Sequence, residues 1–210
     1  MTTRGRFITL EGGEGAGKST QARFVRDWLS EYGHDVVLTR EPGGSPLAEA
    51  IRGVVLGDWA EGVTPSTEVL LMFAARAAHW HTTIAPALAA GRDVVCDRFV
   101  DSSYAYQGAG KGVSATALKA LEKLAVEGKP DLTLLLDLDP EEGLKRAQAR
   151  GDENRFEQET LDFMRRVREG FLARAKAEPQ RIHVIDAARD ADTVSADITT
   201  ILAQLPDAGA

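Results

Sequence analysis

The sequence predicts an α/β fold in which a five-stranded parallel β-sheet is flanked by helices. Short apolar runs alternate with helical patterns along the chain, and this alternation is typical of a doubly wound parallel sheet. The apolar runs are nearly continuous, as expected for strands that are covered on both faces. The predicted strands are Phe7–Leu10, Val36–Thr39, Asp93–Cys96, Leu132–Asp137 and Ile182–Ile185.

Each helix is predicted from its periodicity and its ends. Phe24, Trp28 and Tyr32 recur at a spacing of four and are followed by Gly33, which favours a helix end. Pro86 is expected to bend or break a long alanine-rich helix. The predicted helices are Thr20–Tyr32, Thr67–Ala90, Ser114–Glu127, Pro140–Arg150, Glu157–Ala177 and Ala191–Leu205.

Length and composition fit one globular domain, residues 1–210, with 43% hydrophobic and 27% charged residues. The formal net charge of −7 argues against nucleic acid or an anionic membrane as a partner. The single cysteine, Cys96, excludes an internal disulfide and fits a cytoplasmic protein. We also expect no secretion signal and no membrane span, which would need roughly 18 apolar residues. An anionic substrate would therefore need a local cluster of arginines.

The segment GGEGAGKST fits a phosphate-binding loop, because it follows a predicted strand and opens a predicted helix. Small residues let backbone N–H groups converge on phosphate oxygens at a helix N-terminus. Lys18 would reach the β- and γ-phosphates of a nucleotide, and Ser19 would bind Mg²⁺. A chance glycine-rich turn is the alternative. The predicted phosphate-binding residues are Gly12, Gly13, Glu14, Gly15, Ala16, Gly17, Lys18, Ser19 and Thr20.

Acidic residues at strand ends are candidates for a second contact to Mg²⁺. Asp97 follows the third predicted strand, where ligands bind in open parallel sheets. It suits a role in holding Mg²⁺ directly or through water. Asp137 and Asp139 compete for this role, and Asp97 could instead only cap the next segment.

Several arginines fall near the predicted strand ends and loops, where guanidinium groups could bind phosphates. Arg40 and Arg98 each follow a strand directly. Arg146 stands four residues after Glu142 on a helix, so a surface ion pair fits its position as well as a ligand contact does. The full set is Arg40, Arg52, Arg76, Arg98, Arg146, Arg150 and Arg155.

Five ordered segments resemble bacterial thymidylate kinases, over a span from about Phe7 to Ala187. The phosphate loop alone is shared by many families, whereas the other segments in this order are specific. The segments are TLEGGEGAGKST, TREPGGSPLAEAIR, DRFVDSSYAYQGAG, PDLTLLLDLDPEEGLKRAQARG and RFEQE. The resemblance implies a three-layer P-loop kinase fold, a homodimer, and transfer of the γ-phosphate of Mg²⁺-ATP to dTMP in dTTP biosynthesis.

The resemblance also implies which groups are catalytic: Lys18, Arg98, Arg150 and Glu14. In this family an acidic phosphate loop goes with an arginine that a small lid supplies, here at about residues 146–156. Arg150 is the first choice for this arginine finger and Arg155 the second. The lid arginines are Arg146, Arg150 and Arg155, and the implied Mg²⁺ contacts are Ser19 and Asp97, either directly or through water.

Acceptor contacts follow from the same resemblance. Glu14 would accept a hydrogen bond from the 3′-hydroxyl of dTMP, and Arg98 would grip the phosphate. Members of the family often have an aromatic residue at the position of Met72, and Phe73 is the next residue in this chain. Either side chain could therefore cover the thymine ring. Arg76 and Gln107 would then bind its edge. The implied dTMP-binding residues are Glu14, Arg40, Pro42, Arg52, Met72, Phe73, Arg76, Arg98, Ser103, Tyr106 and Gln107.

Two further details concern this pocket. Ser103 and Tyr106 would line the ring and exclude a ribose 2′-hydroxyl, and Pro42 could follow a cis peptide bond.

The nearest alternative function is that of another kinase of nucleotides or nucleosides, acting on UMP, CMP or a deoxynucleoside. A nucleotide-binding switch protein and an inactive scaffold are more distant alternatives.

Overall fold

The computed structural model describes residues 4–150 and 159–205, without the side chain of Arg150. The five predicted strands form one all-parallel sheet in the order β2-β3-β1-β4-β5, so the predicted α/β fold is confirmed. Each strand except β4 extends one or two residues beyond its predicted end. The strands are β1 Phe7–Gly12, β2 Val36–Arg40, β3 Asp93–Asp97, β4 Leu132–Asp137 and β5 Ile182–Asp186.

Helices cover both faces of this sheet. Two π-helical segments, Trp80–Ile84 and Tyr104–Gly110, continue α3 and α5 respectively. Among the described residues, no helix is both long and apolar enough to cross a membrane. The α-helices are α1 Lys18–Glu31, α2 Pro46–Leu56, α3 Pro65–His79, α4 Ala85–Ala89, α5 Val100–Ser103, α6 Ala115–Ala125, α7 Pro140–Arg150, α8 Leu161–Ala177 and α9 Ala191–Leu202.

Helix α2 is absent from the prediction, although its start carries a local signal. Ser45 caps the helix by accepting a hydrogen bond from the backbone N–H of Ala48, and Pro46 occupies the first turn. A serine followed by proline is a typical helix start. No helix was predicted between Thr39 and Thr67, although this signal was present in the sequence.

The predicted helix Thr67–Ala90 differs from the structure at both its start and its middle. It begins at Pro65, because Thr64 caps it. The interruption precedes Pro86: the backbone N–H of Ala85 bonds to the carbonyl of Trp80, five residues back. Such wide turns break the regular helical ladder without a bend at the proline itself.

The predicted start of Glu157–Ala177 also differs. Helix α8 begins at Leu161, where Thr160 accepts a hydrogen bond from the N–H of Phe163. Residues 157 and 158 lie outside the described part of the chain.

The core has a layer on each side of the sheet, because successive strand residues point to opposite faces. Ile8 and Leu10 of β1 pack with Val25 and Leu29 of α1 and with α9. Phe7 packs on the other face with residues of α3, α6 and β3. Val25 and Leu29 are fully buried, which stabilises the fold by roughly 1.5–3 kcal/mol for each side chain.

Pairing of β1 with β3 positions the functional site. Leu10 lies opposite Asp97, so the loop after β1 and the turn after β3 leave the sheet side by side. Ligands bind at such carboxyl ends of parallel strands.

Candidate active site

The loop after β1 has the backbone of a phosphate cradle and leads directly into α1. Gly12, Gly15 and Gly17 have φ angles of 141°, 71° and 86°, which side-chain-bearing residues rarely adopt. A Cβ atom at Gly15 would collide with the backbone carbonyl of Gly143 on α7. The close approach of these two backbones therefore requires glycine here.

Lys18 is buried beneath this loop, and its Nζ donates to the carbonyl of Gly13 at 2.7 Å. Burial, and then the charge of Arg98, lower the pKa of Lys18 to about 8. An anionic phosphate nearby would favour the charged ammonium again.

Ser19 and Asp97 lie together, since Ser19 Oγ donates to Asp97 Oδ2 at 2.6 Å. A hydroxyl and a carboxylate at a nucleotide phosphate are hard oxygen ligands that suit Mg²⁺. Of the two competing acids, Asp137 accepts hydrogen bonds from Nε and Nη2 of Arg168, at 2.7 and 2.8 Å. Asp139 caps α7 by accepting from the N–H of Glu141. The geometry therefore favours Asp97 over both of them as the partner of Ser19 at a metal.

The turn after β3 holds Arg98 in an unusual backbone conformation, with φ of 75°. Its Nη1 donates to the carbonyl of Gly12 at 3.0 Å, and its Nη2 donates to Glu14 Oε1 at 2.7 Å. The hydroxyl of Tyr106 donates to the same carboxylate oxygen at 3.0 Å. Burial raises the pKa of Tyr106 well above its ordinary value, so the phenol keeps the proton it donates.

Glu11 holds this turn from inside the protein. Its carboxylate accepts from the N–H groups of Phe99 and Ser102 at 2.8 and 3.2 Å, and from Ser102 Oγ at 2.6 Å. Burial, and then the nearby charge of Asp101, raise the pKa of Glu11 to about 7. Three hydrogen bonds to one carboxylate stabilise the strained conformation of Arg98.

One cleft of about 220 Å³ joins these groups to the other candidates. Met72 lines it, whereas Phe73 is 2% exposed and packs in the core with Phe99. The lining residues are Glu14, Gly15, Gly17, Lys18, Ser19, Thr20, Arg40, Glu41, Pro42, Arg52, Leu56, Met72, Asp97, Arg98, Ser102, Tyr106 and Gln107.

Arg76 lies behind the cleft wall and is 1% exposed. Its Nε donates to Glu41 Oε2 at 2.7 Å, its Nη1 to Ser103 Oγ at 2.9 Å and its Nη2 to the carbonyl of Phe99 at 3.0 Å. These contacts tie three elements together and fix the guanidinium plane. Glu41 Oε1 also accepts a hydrogen bond from His79 Nδ1 at 3.0 Å.

Two further arginines form a cationic rim. Arg40 Nη2 donates to Glu49 at 3.1 Å, and Arg52 Nη1 donates to the carbonyl of Pro42 at 2.7 Å. The peptide bond before Pro42 is cis, as the sequence suggested. Burial, and then the charge of Arg40, lower the pKa of Arg52, so the two cations repel each other although Glu49 partly offsets this.

Comparisons with known proteins agree with this geometry. The family model described as Thymidylate kinase matches residues 10–198. Thymidylate kinases of Pseudomonas fluorescens and Caulobacter vibrioides are 54% and 52% identical over 203 residues each, covering 96% of this chain and 96% and 98% of theirs. The crystal structure of thymidylate kinase from Ehrlichia chaffeensis has a TM-score of 0.80 at 35% identity, covering 96% of this chain and 99% of that one.

The chain belongs to the thymidylate kinase family. This membership confirms the family resemblance, the P-loop kinase fold and the predicted activity of a kinase that phosphorylates dTMP. The alternatives of a different nucleotide kinase and of a switch protein are not favoured.

The lid arginines predicted from the family are only partly described. Arg155 and the side chain of Arg150 lie outside the described residues. Arg146 bonds to Glu142 at 3.1 Å and to the carbonyls of Ala187 and Ala188 at 2.8 and 3.1 Å. Its guanidinium therefore joins α7 to the loop after β5, in keeping with the surface-pair alternative.

Several residues of this thymidylate kinase site escaped the sequence interpretation. Glu41, Leu56 and Ser102 line the cleft, and Glu11 and Glu68 lie behind it. Glu41 stands within the quoted REPGG segment, so its position was available. The two buried glutamates had no signal, because their hydrogen-bond partners are distant in sequence.

Proposed function

We propose that this protein transfers the γ-phosphate of Mg²⁺-ATP to dTMP, giving dTDP as a step towards dTTP. One observation supports this most directly: residues of the phosphate loop line the same cleft as Met72 and Gln107. A donor phosphate and an acceptor nucleotide bound in it would meet beside Lys18 and Arg98. The whole chain, residues 1–210, is proposed to act as one domain, with a lid at about residues 146–156.

On the donor side, Gly12 to Thr20 would surround the ATP phosphates with backbone N–H groups. Lys18 would neutralise the β- and γ-phosphates. Ser19 and Asp97 would hold Mg²⁺, which would screen the charge of the transferred group. No covalent intermediate is needed, since the reaction requires alignment of two phosphates and stabilisation of their charge.

On the acceptor side, Arg98 would grip the phosphate of dTMP, with Arg40 and Arg52 nearby. The charge of Arg40 helps to lower the pKa of Arg52, and a phosphate bound beside both cations would offset this repulsion, which supports the assignment. Glu14 would accept from the 3′-hydroxyl while it keeps Arg98 and Tyr106 in position. Arg150 is proposed as the arginine finger.

The base would lie against Met72, whose thioether side chain lines the cleft. Gln107 would bind the thymine edge, and Tyr106 would limit the space at the sugar. Ser103 is fully buried and would support Arg76 from behind the cleft wall. Arg76 is proposed to act at the thymine edge from behind the wall, where Glu41 and Ser103 hold it.

We further propose a cytoplasmic homodimer. Leu47 and Val54 of α2, Leu70 of α3 and Leu124 of α6 are large apolar side chains that are 42–82% exposed. Helix α3 packs against both α2 and α6, so these side chains share one side of the molecule. An exposed apolar patch of this kind suits contact with a second copy.

A coupled ADP-release assay tests the reaction. Mg²⁺-ATP would be supplied with dTMP, dUMP, UMP, CMP, dCMP, AMP, GMP or thymidine. We expect the highest kcat/KM for dTMP, with dUMP well behind it. Comparable turnover of UMP or CMP would overturn the assignment of the acceptor pocket, and no acceptor-dependent ADP release would overturn the kinase proposal itself.

A further inference from the structure

The side-chain amide of Gln107 is only half satisfied. Its Nε2 donates to Glu68 Oε1 at 3.0 Å. Its Oε1 is buried and meets no hydrogen-bond donor in the part of the chain that the structure describes. Gln107 is 1% exposed and yet lines the cleft. An unpaired buried oxygen is unfavourable, so its presence at a binding cleft calls for a hydrogen-bond donor on the ligand.

Glu68 determines which end of this amide is an acceptor. The carboxylate is fully buried, and the ammonium of Lys111 lies 3.0 Å from its Oε2. A carboxylate paired with an ammonium group accepts hydrogen bonds and donates none. The amide must therefore turn its NH₂ group towards Glu68, because the reverse orientation would bring two oxygens together.

Glu68 also belongs to the helix face that carries the other candidates for the base. Glu68, Met72 and Arg76 recur at a spacing of four along α3, and all three are buried. Residues at this spacing lie above one another on one face of a helix. The same face thus provides the side chain beside the base, the guanidinium behind the wall and the carboxylate that orients Gln107.

We infer that Glu68 is a positioning residue that fixes Gln107 as an acceptor for the N3–H group of the base, and so selects thymine and uracil against cytosine. This inference rests on the proposed assignment of Gln107 to the acceptor base. Thymine and uracil carry a hydrogen on N3. The N3 atom of cytosine is itself an acceptor, so it would face Gln107 Oε1 with two lone pairs and no proton between them.

The test compares kcat/KM for dTMP, dUMP and dCMP in wild type and in Glu68→Gln. Glutamine at position 68 can donate as well as accept, so it permits both orientations of Gln107. We expect kcat/KM for dTMP to fall by about tenfold to a hundredfold, and the dTMP-to-dCMP ratio to fall at least tenfold. The dTMP-to-dUMP ratio should stay unchanged, because both bases present N3–H.

Asp93→Asn is the matched control. Asp93 is also a buried carboxylate with a cationic partner, Arg6, but it lies at the opposite end of the sheet from the cleft. Its variant should lose stability without a change in the dTMP-to-dCMP ratio. Equal losses for dTMP and dCMP in Glu68→Gln would show that Glu68 only supports packing, and would overturn the inference.

Two other variants test the inference if Glu68→Gln does not fold. Gln107→Leu should lose most of the discrimination between dTMP and dCMP, mainly through KM. Lys111→Met, which removes the partner of the carboxylate, should reduce the discrimination by a smaller factor. Unchanged discrimination in Gln107→Leu would overturn the inference, whereas a wild type that does not prefer dTMP to dCMP would overturn the proposed base assignment itself.

Discussion

Arg98 Nη2 donates to Glu14 Oε1 at 2.7 Å, and this ion pair joins the phosphate loop to the turn after β3. Both side chains are 16% exposed, so solvent screens the pair only partly. The acid in the phosphate loop therefore bonds to Arg98 and Tyr106, the two groups that we propose to act on the acceptor. This relationship gives a physical reason for an acid in a loop that binds anions.

Replacement of Glu14 tests its two roles. We expect Glu14→Ala to weaken transition-state binding of dTMP by about 1–3 kcal/mol, measured as a lower kcat/KM. The reason is that the 3′-hydroxyl and Arg98 both lose a hydrogen-bond acceptor. Steady-state kinetics with dTMP and with 3′-deoxy-dTMP would separate the roles. A much smaller loss for the 3′-deoxy analogue is expected; equal losses would leave Glu14 only the role of holding Arg98.

The proposed arginine finger gives a prediction about kcat. Arg150→Ala should lower kcat by roughly 10³-fold with little change in the KM for dTMP. The reason is that the phosphate loop itself has no basic residue before Lys18 that could take over this role. Arg146→Ala is the matched control, since the contacts of Arg146 are to Glu142 and two backbone carbonyls. Arg146→Ala should keep kcat near that of wild type, and a kcat for Arg150→Ala within tenfold of wild type would transfer the role to Arg155.

The lowered pKa of Lys18, about 8, predicts that ATP binding is linked to proton uptake. Phosphates favour the ammonium, so the bound state holds more protons than the free state above about pH 8. Affinity for ATP should thus be highest below this pH and should weaken as the pH rises through it. Calorimetry in buffers of different ionisation enthalpy would measure the uptake. Lys18→Arg should abolish it, and an unchanged uptake in this variant would assign the proton to another group.

The raised pKa of Glu11, about 7, predicts a pH-dependent contribution to stability. Between 4.5 and about 7 the folded state binds more protons at this site than the unfolded state does. The contribution is therefore fully present below pH 4.5 and is lost as the pH rises through about 7. Urea unfolding from about pH 5 to about pH 8 should show Glu11→Gln gaining relative to wild type as the pH rises.

The same series tests the hydrogen bonds of Glu11. Glutamine can still accept from Phe99 and Ser102, so Glu11→Gln should keep most of the activity. Glu11→Ala should lower the free energy of unfolding by about 1–3 kcal/mol and should also disturb the backbone conformation of Arg98, which would lower activity. Parallel pH curves for wild type and Glu11→Gln would contradict the assigned titration.

The proposed dimer predicts that one charge on α3 changes the oligomeric state. Leu70→Glu should shift the protein towards monomer in sedimentation velocity, because Leu70 is 57% exposed on the proposed contact side. Tyr32→Glu is the control: Tyr32 is 68% exposed at the end of α1, on the opposite face of the sheet. A monomeric wild type, or identical profiles for both variants and wild type, would contradict the proposed interface.

Much of the fold was predictable because its signals are local. The five strands and the phosphate loop were recognisable from runs of neighbouring residues, and so was the turn that carries Arg98. Helix α2 was missed although Ser45 and Pro46 mark its start. The π-helical segments were not predictable, because their wide turns depend on packing against other elements.

The sequence by itself determined the α/β fold, the thymidylate kinase family and the residue types at the cleft. Only the tertiary structure decided that Met72 lines the cleft while Phe73 enters the core, and that Arg146 bonds to carbonyls 41 and 42 positions away. It also brought Glu68 to Gln107 across 39 positions and Glu14 to Arg98 across 84. The physical reason is that spacing along the chain fixes which neighbours share a helix face or a strand end. The partners of a buried polar side chain depend instead on how the separate elements pack around the sheet.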